Sequence, residues 1–287
     1  MSNVIACIDG SSAAGSVCDY AAWVASRLAA PLTLLHVLDQ SRYPVENDLS
    51  GKLGVDAREH LLTELAELDT RRNKLALEQG ALMLEAARLR AVAGGVAEPV
   101  LRQRHGHLIE SLAELEDDTR LLVIGKQGEE HSDGTHVGAK HIGDNVERLV
   151  RTLHRPILIA QGEFKPPQEV MLAFDSSETT RKGVEMFAAS PLFRGLNGHL
   201  VSVSKDRQTL SKDLQWAEKT IRDAGHDIQC AVLDGEIEPA LHQYQQQHNI
   251  DMVVMGAYGH SRLREFFVGS TTNNMIRKAT VPHLLLR

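Results

Sequence analysis

The chain alternates short apolar runs with longer segments whose apolar residues recur at helical spacing. Runs that are apolar almost throughout are typical of strands buried on both faces, whereas a recurrence every three to four residues is typical of amphipathic helices. In the first half the predicted strands are 3–9, 31–38, 96–103, 120–125 and 156–160. The helices predicted between them are 13–29, 55–92, 107–115 and 144–153.

The same order restarts after 161–168, a short stiff linker that contains Phe-Lys-Pro-Pro. Val170–Asp175 followed by Ser-Ser-Glu repeats the pattern of Val4–Asp9 followed by Gly-Ser-Ser. Later segments complete the second copy, with strands at 199–204, 228–233, 252–256 and 283–286 and helices at 210–224, 239–248 and 270–279. Such alternation predicts an α/β fold in which helices cover both faces of a parallel sheet. We therefore predict two tandem domains, 1–162 and 163–287, each with a five-stranded sheet.

The helix predicted over 55–92 is longer than one domain needs, since it would extend about 55 Å. It can bend near Gly80, and its excess length can project as an interaction surface. Its apolar residues recur at helical intervals: Leu61, Leu65, Leu68, Leu75, Leu82, Ala86 and Leu89.

A glycine pattern near the end of the chain suits a phosphate ligand. Gly256 ends an apolar run, Gly259 follows after two residues, and Gly269, Ser270 and Thr271 open the helical pattern nine residues later. Glycine lets the backbone approach a ligand closely, and a helix N-terminus offers unpaired N–H donors with a partial positive charge. On spacing alone, a plain turn followed by a hydroxyl-capped helix is an equally good interpretation.

The pattern Gly-x2-Gly-x9-Gly-Ser between a strand and a helix resembles the nucleotide-binding signature of the universal stress proteins. The similarity continues through Met255 and through the Val-Pro-x-Leu-Leu-Leu ending. The chain resembles those members that carry two such domains. The resemblance implies a Rossmann-like fold of the adenine nucleotide alpha hydrolase type, with an open-twisted sheet in each domain. It also implies that the two final strands pair within the chain as a pseudo-dimer, and it leaves a homodimer open.

The resemblance further implies an adenine nucleotide ligand, ATP, ADP or AMP, with or without Mg²⁺. In this sequence the matching positions are, for the adenosine part, Ala173, Phe174, Asp175 and Val203; for the ribose and phosphates, Met255, Gly256 and Ala257; and for the phosphates alone, Gly259, Gly269, Ser270 and Thr271. His260 and Arg262 lie in the same loop, although a loop cation is more often merely solvated. Asp175 has a second interpretation, as a cap of the helix that follows it.

The first copy carries a divergent version of the site. Gly125 and Gly128 follow a strand as Gly256 and Gly259 do, but Gly143 comes only after fourteen further residues. Asp144 then occupies the place of Ser270, and Asp9 occupies the place of Asp175. A carboxylate caps a helix well but repels a phosphate from the same N–H groups. We predict that the first copy has lost triphosphate binding, and that Asp9 serves mainly as a helix cap.

Composition and cysteine usage argue against nucleic-acid binding, a disulfide framework, secretion and membrane association. The net charge of −7, without a long basic run, argues against a general nucleic-acid binder. Cys7, Cys18 and Cys230 show no metal spacing and cannot all pair, and Cys7 and Cys230 lie in apolar runs where free cysteines are usually buried. The N-terminus has no signal-peptide pattern, and no run of about 18 apolar residues occurs. We expect a soluble, reduced, cytoplasmic protein without membrane association.

No catalytic signature is apparent. His131, His136 and His141 share a polar loop with Asp133, but their spacing matches no strong zinc pattern, so no metal site is predicted. The commonest hydrolase and P-loop motifs are absent. The sequence thus favours a nucleotide-binding regulatory or stress-response protein with an unidentified protein partner. Two alternatives stay open: a slow ATPase that phosphorylates itself at Ser270 or Thr271, and a nucleotide-free scaffold.

Overall fold

The computed structural model describes residues 2–38, 55–126, 144–204, 207–257 and 270–287. Its strands are β1 (Asn3–Cys7), β2 (Leu32–Leu38), β3 (Val100–His105), β4 (Thr119–Gly125), β5 (Ile157–Ala160), β6 (Glu169–Ala173), β7 (Asn197–Val203), β8 (Ile228–Leu233), β9 (Met252–Gly256) and β10 (His283–Leu286). Its helices are α1 (Ala14–Leu28), α2 (Val55–Ala93), α3 (Leu108–Ala113), α4 (Asp144–Thr152), α5 (Glu178–Ala189), α6 (Arg207–Asp223), α7 (Ile237–Gln247) and α8 (Ser270–Arg277), with a short 3-10 helix at Pro191–Phe193.

The strands form one sheet in the order β3-β2-β1-β4-β5-β10-β9-β6-β7-β8. All neighbours are parallel except β5 and β10, which pair antiparallel with His283 opposite Ile159 and Leu285 opposite Ile157. Each half therefore contributes five strands, and the two halves join through their last strands. The predicted fold class and the pairing of the final strands are confirmed.

Helices cover both faces of the sheet and bury an apolar core on each. On one face α1, α2, α5 and α6 contribute residues such as Val24, Phe187 and Ile221. On the other face the shorter helices α3, α4, α7 and α8 contribute residues such as Leu149 and Ile276. Because both faces are covered, the strands need apolar side chains at successive positions, which explains their nearly continuous apolar runs.

The long helix α2 packs through a different face from the one that its leucines suggest. Its buried residues are Gly80, Leu84, Ala87 and Ala91, whereas most of the leucines predicted from the sequence are exposed. A Cβ atom at Gly80 would lie 2.3 Å from Gln103 Nε2 and 2.6 Å from His36 Cδ2. Gly80 thus permits a close approach of α2 to the sheet.

No helix that the structure describes is both long and apolar enough to cross a membrane.

The start of β3 was predicted four residues too early, because α2 ends in a Schellman motif. Gly95 adopts a φ of 96°, its N–H donates to Val92 O at 3.0 Å, and the N–H of Val96 donates to Ala91 O at 3.0 Å. Val96 then packs on the core as the apolar residue that usually accompanies this motif. Val96 is therefore apolar because it packs on the core at the end of α2, and not because it starts β3.

The cysteines differ in their burial. Cys18 is buried in α1, where its thiol donates to Ala87 O at 3.1 Å, and Cys7 is partly buried. Cys230 is exposed, which corrects the expectation that it is a small buried hydrophobe. It lies on β8, an edge strand of the sheet, so the apolar run around it does not guarantee burial.

Candidate functional site

The carboxyl ends of β6 and β9 lie side by side, and we call the space beyond them the crevice. The two strands pair in parallel, with Val170 opposite Met252 and Leu172 opposite Val254. From β6 the sheet continues to β7 in one direction, and from β9 it continues to β10 in the other. This reversal is a topological switch point, which is where ligands bind in open parallel sheets.

Asp175 lies just beyond the end of β6, at the start of α5. Its Oδ1 atom accepts hydrogen bonds from Ser177 N at 3.0 Å and from Thr180 Oγ1 at 2.8 Å. Ser177 is the N-cap of α5, and its Oγ accepts from Thr180 N at 3.3 Å. Asp175 therefore takes part in capping, as its second interpretation requires, while the residue itself is exposed to solvent.

Gly256 ends β9 in a position where a larger residue would be crowded. A Cβ atom there would lie 3.3 Å from Thr179 Cγ2 and 3.4 Å from Thr180 Cγ2. On its other side, the hydroxyl of Thr272 lies 3.4 Å from the carbonyl oxygens of both Gly256 and Ala257. The end of β9 is thus held between the first turn of α5 and the first turn of α8.

The helix α8 begins at Ser270, as predicted, and Thr271 lies in its first turn. No acidic residue occurs in that turn. Its first N–H groups therefore carry the partial positive charge of a helix N-terminus without a neighbouring carboxylate in the same turn. Gly259 and Gly269, and the loop residues His260 and Arg262, lie outside the described residues.

Apolar residues form one side of the crevice. Ala173 and Val203 are partly buried and pack on the same core cluster as Met255 and Ala257, which are buried. The side chain of Phe174 belongs to the core on the opposite face of the sheet. Phe174 flanks Asp175 as predicted, but its side chain packs away from the cluster that contains Ala173 and Val203.

The first half repeats this arrangement in part. Asp9 Oδ1 accepts from Ser11 N at 3.1 Å and from Ser11 Oγ at 2.5 Å, in the turn that precedes α1. The N-cap of α1 is Ala13, without a side-chain cap hydrogen bond, so the prediction that Asp9 caps this helix is wrong. Gly125 ends β4, and α4 begins at Asp144. Gly128 and Gly143 lie outside the described residues.

Lys126, which directly follows β4, has a role that the sequence did not predict. The N–H of Lys126 donates to Ala160 O, just as the N–H of Ala257 donates to Leu286 O, so the two residues occupy matching positions. The Lys126 side chain is buried, and burial lowers the pKa of its ammonium. Alignment of Gly125-Lys126 with Gly256-Ala257 could have placed Lys126 at the end of a strand.

A second polar cluster lies at the opposite, amino-terminal end of the same strands. His199 Nε2 lies 2.9 Å from Glu169 Oε2, and His199 Nδ1 lies 3.0 Å from the hydroxyl of Tyr244. Burial opposes ionisation of Glu169, but hydrogen bonds from Asn197 and His199 outweigh it and lower the pKa of the carboxyl. This cluster is separate from the crevice and connects β6, β7 and α7.

Metal ligands do not converge in the part of the chain that the structure describes. No group of three or more His, Cys, Asp or Glu side chains there has an arrangement that could hold a metal ion. The polar loop with His131, His136, His141 and Asp133, for which no metal site is predicted, falls outside the described residues.

Comparisons with known proteins agree on one family. A sequence model described as the universal stress protein family matches residues 1–161 and 188–287. A universal stress protein of Synechocystis sp. is 34% identical over 292 residues, covering 100% of both chains. The crystal structure of a universal stress protein from Archaeoglobus fulgidus matches with a TM-score of 0.73 at 16% identity, covering 99% of this chain and 97% of that one. A putative universal stress protein from Pseudomonas aeruginosa matches with a TM-score of 0.63 at 14% identity, covering 99% and 92%.

Proposed function

The chain belongs to the universal stress protein family, and on that basis we propose that its C-terminal half binds an adenine nucleotide at the carboxyl ends of β6 and β9. ATP is the ligand proposed first. The domain division proposed with it is 1–162 for the first domain and 163–287 for the second. Nucleotide occupancy then regulates the protein by changing which protein partner it binds.

One observation carries this proposal: Gly256 lies between the first turns of α5 and α8. The contacts of Gly256 with Thr180 and of Thr272 with Gly256 bring both helix N-termini to one strand end. The N-terminus of α8, whose first turn holds no acidic residue, provides backbone N–H donors and partial positive charge beside this strand end, which suits a chain of phosphates. The N-terminus of α5, by contrast, is already capped by Ser177 and carries Glu178 in its first turn. The hydroxyls of Ser270 and Thr271 add donors without negative charge, and Gly259 and Gly269 would complete the phosphate loop.

The adenosine part is proposed to lie toward β6 and β7. Ala173 and Val203 offer a partly buried apolar surface for the adenine ring. Asp175 is exposed, and its Oδ1 atom is fixed by Ser177 and Thr180, so the carboxylate is pre-oriented to accept from ribose hydroxyls or adenine. Met255 and Ala257 would border the ribose from the β9 side.

The first half is proposed not to bind a triphosphate. A carboxylate at Asp144 would stand where Ser270 stands in the second half. Two like charges about 4 Å apart repel by about 1 kcal/mol in water and by about 4 kcal/mol near a protein surface. Such a penalty lowers the affinity of the first half for ATP by at least about fivefold.

Equilibrium dialysis with radiolabelled ATP tests the proposal through a matched pair of variants. Gly256→Val introduces a branched side chain against Thr179 and Thr180 and should abolish binding to the full chain. Gly125→Val makes the same change at the matching position of the first half and should leave binding intact. Circular dichroism of both variants checks that they fold. Equal loss of binding in the two variants, or binding that survives Gly256→Val, contradicts the proposed site.

A further inference from the structure

A row of exposed leucines runs along α2 at intervals of seven residues. Leu68, Leu75, Leu82 and Leu89 have exposed fractions of 50%, 64%, 72% and 58%. Their span of 21 residues corresponds to about 32 Å of helix. We call these four residues the leucine row; in sequence, the same interval reaches back to Leu61.

The leucine row is on the opposite side of α2 from the face that packs on the fold. Leu84, Ala87 and Ala91 are buried there, and the main contacts of α2 in the described part of the chain are with α1, β2 and β3. Leu82 and Leu84 are two residues apart, which is about 200° around an α-helix. The helix therefore has two apolar faces, and the fold that the structure describes covers one of them.

A seven-residue leucine repeat is the pattern by which helices pack side by side in coiled coils. We propose that the leucine row is a homodimer interface, in which the α2 helix of a second copy of this chain packs antiparallel against it. The leucine row is on the side of α2 away from β2 and β3, so the second copy approaches from that side. The contact is isologous, since the same row serves on both copies.

Charges beside the leucine row favour a second copy in the antiparallel orientation. Arg71, Glu78 and Glu85 each follow a leucine of the row by three residues, so they line one side of it, and all three are exposed. In an antiparallel pair centred on Glu78, Arg71 of each copy lies opposite Glu85 of the other. The exposed carboxylate of Glu85 also pairs with Arg88 of its own helix, at 2.6 Å. Two attractive pairs then outnumber the single contact between the two Glu78 side chains on the axis. A parallel pair would not bring Arg71 beside Glu85.

Neighbouring residues make the leucine row compatible with this packing. In coiled-coil register, Ala86 and Gln79 lie between successive leucines on the side of the row opposite Glu85. Ala86 leaves room for a leucine of the partner helix, while Gln79 and, seven residues before it, Arg72 are polar residues at seam positions of the kind that fix register. A uniformly apolar seam would specify the register less well.

Sedimentation velocity of the full chain at increasing concentration tests the interface. The wild type should form a dimer, and the double variant Leu75→Ser with Leu82→Ser should weaken it by at least about a hundredfold, because two buried anchors are lost. Leu77→Ser is the matched control, since Leu77 lies on the same helix, about 200° from Leu75, and should leave the dimer intact. A wild type that stays monomeric, or a dimer that the double variant leaves unchanged, overturns the proposal.

A charge exchange tests the identity of the partner and its orientation. Arg71→Glu should weaken the dimer by about fivefold, because it converts both attractive pairs into repulsive ones. Adding Glu85→Arg in the same chain should restore the wild-type dissociation constant, since each arginine again meets a glutamate of the other copy. If the exchanged variant remains as weak as Arg71→Glu alone, the antiparallel pairing is wrong. Circular dichroism and thermal melting of every variant confirm that the monomer fold is retained.

Discussion

The ammonium of Lys126 donates a hydrogen bond of 2.7 Å to the backbone carbonyl oxygen of Arg277, in the other half of the chain. It also lies 3.3 Å from Ala279 O, so it caps the C-terminal end of α8. Arg287 makes the reciprocal contact, because its guanidinium donates to Leu153 O and Arg151 O at the end of α4. Each half therefore places a cation on the negative end of the other half's last helix, which stabilises the junction beside β5 and β10.

Replacing Lys126 should weaken this junction. Lys126→Ala removes a buried side chain and leaves the carbonyl oxygens of Arg277 and Ala279 without their donor. The expected loss is about 1–3 kcal/mol in the free energy of unfolding, measured by urea denaturation. Lys278→Ala is the control, because its ion pair with Glu238 is half exposed and should cost less than about 1 kcal/mol. Equal losses in the two variants would mean that Lys126 is not a junction residue.

His283 should make stability depend on pH. It is fully buried on β10, and burial lowers its pKa from 6.5 to about 4. Within the described chain its Nε2 atom has no hydrogen-bond partner, and its Nδ1 lies 2.9 Å from Val281 O. The folded protein keeps this imidazole neutral, whereas the unfolded chain binds a proton below pH 6.5. Stability is therefore present in full above pH 6.5 and is lost as the pH falls toward 4, by up to about 3 kcal/mol.

The measurement is urea denaturation of the wild type and of His283→Leu at pH 7 and pH 5. The leucine variant should lose less stability than the wild type between these two values, because it has no imidazole to protonate in the unfolded state. Other titrating groups contribute equally to both proteins and cancel in the comparison. An identical pH dependence in the two proteins would contradict a neutral, buried His283.

Glycine at position 80 should give a higher free energy of unfolding than alanine, although Gly80 lies inside a helix. Alanine stabilises a helix interior by about 1 kcal/mol relative to glycine. At Gly80, however, the added methyl group would overlap Gln103 and the buried ring of His36. We expect Gly80→Ala to lower the free energy of unfolding by about 1–3 kcal/mol, as overpacking does. Asn73→Ala, at an exposed position of the same helix, should instead leave stability unchanged or raise it by about 0.5 kcal/mol.

Removing the charge at Asp144 should raise the affinity of the first half for ATP. If the carboxylate repels phosphates there, Asp144→Ser should raise the affinity of the first half for ATP by at least about fivefold. Isothermal titration in the Gly256→Val background measures this half alone. Asp144→Glu keeps the charge and serves as the control. The same weak binding in the serine and glutamate variants would show that other features of the first half exclude ATP.

The order of strands and helices could be predicted because the strands inside the sheet are buried on both faces and the helices present an apolar side, although the residues of the edge strands β3 and β8 are mostly exposed or only partly buried. The pairing of β5 with β10 was implied by the resemblance to the universal stress proteins. The packing face of α2 could not be predicted, because that helix has leucines on one side and small residues on the other. Small residues such as Ala87 and Ala91 carry little periodic signal, although they form the closer packing.

The sequence predicted where the site residues lie in the strands and helices, but not the hydrogen bonds that they make. Glycine and hydroxyl spacing placed Gly256 and Ser270 at a strand end and a helix start, where the structure has them. The dual engagement of Asp175 with Ser177 and Thr180 depends on the local turn, which sequence spacing does not specify. Lys126 was missed because lysine is almost never buried without partners, and its partners lie in the other half of the chain.

Titration of the purified full chain with ATP by isothermal calorimetry tests the central claim most directly. The phosphate site at the ends of β6 and β9 predicts saturable binding of one nucleotide per chain, lost when Ser270→Asp places a carboxylate at the start of α8. Absence of saturable binding, or one nucleotide per chain that persists in the Ser270→Asp variant, would contradict it.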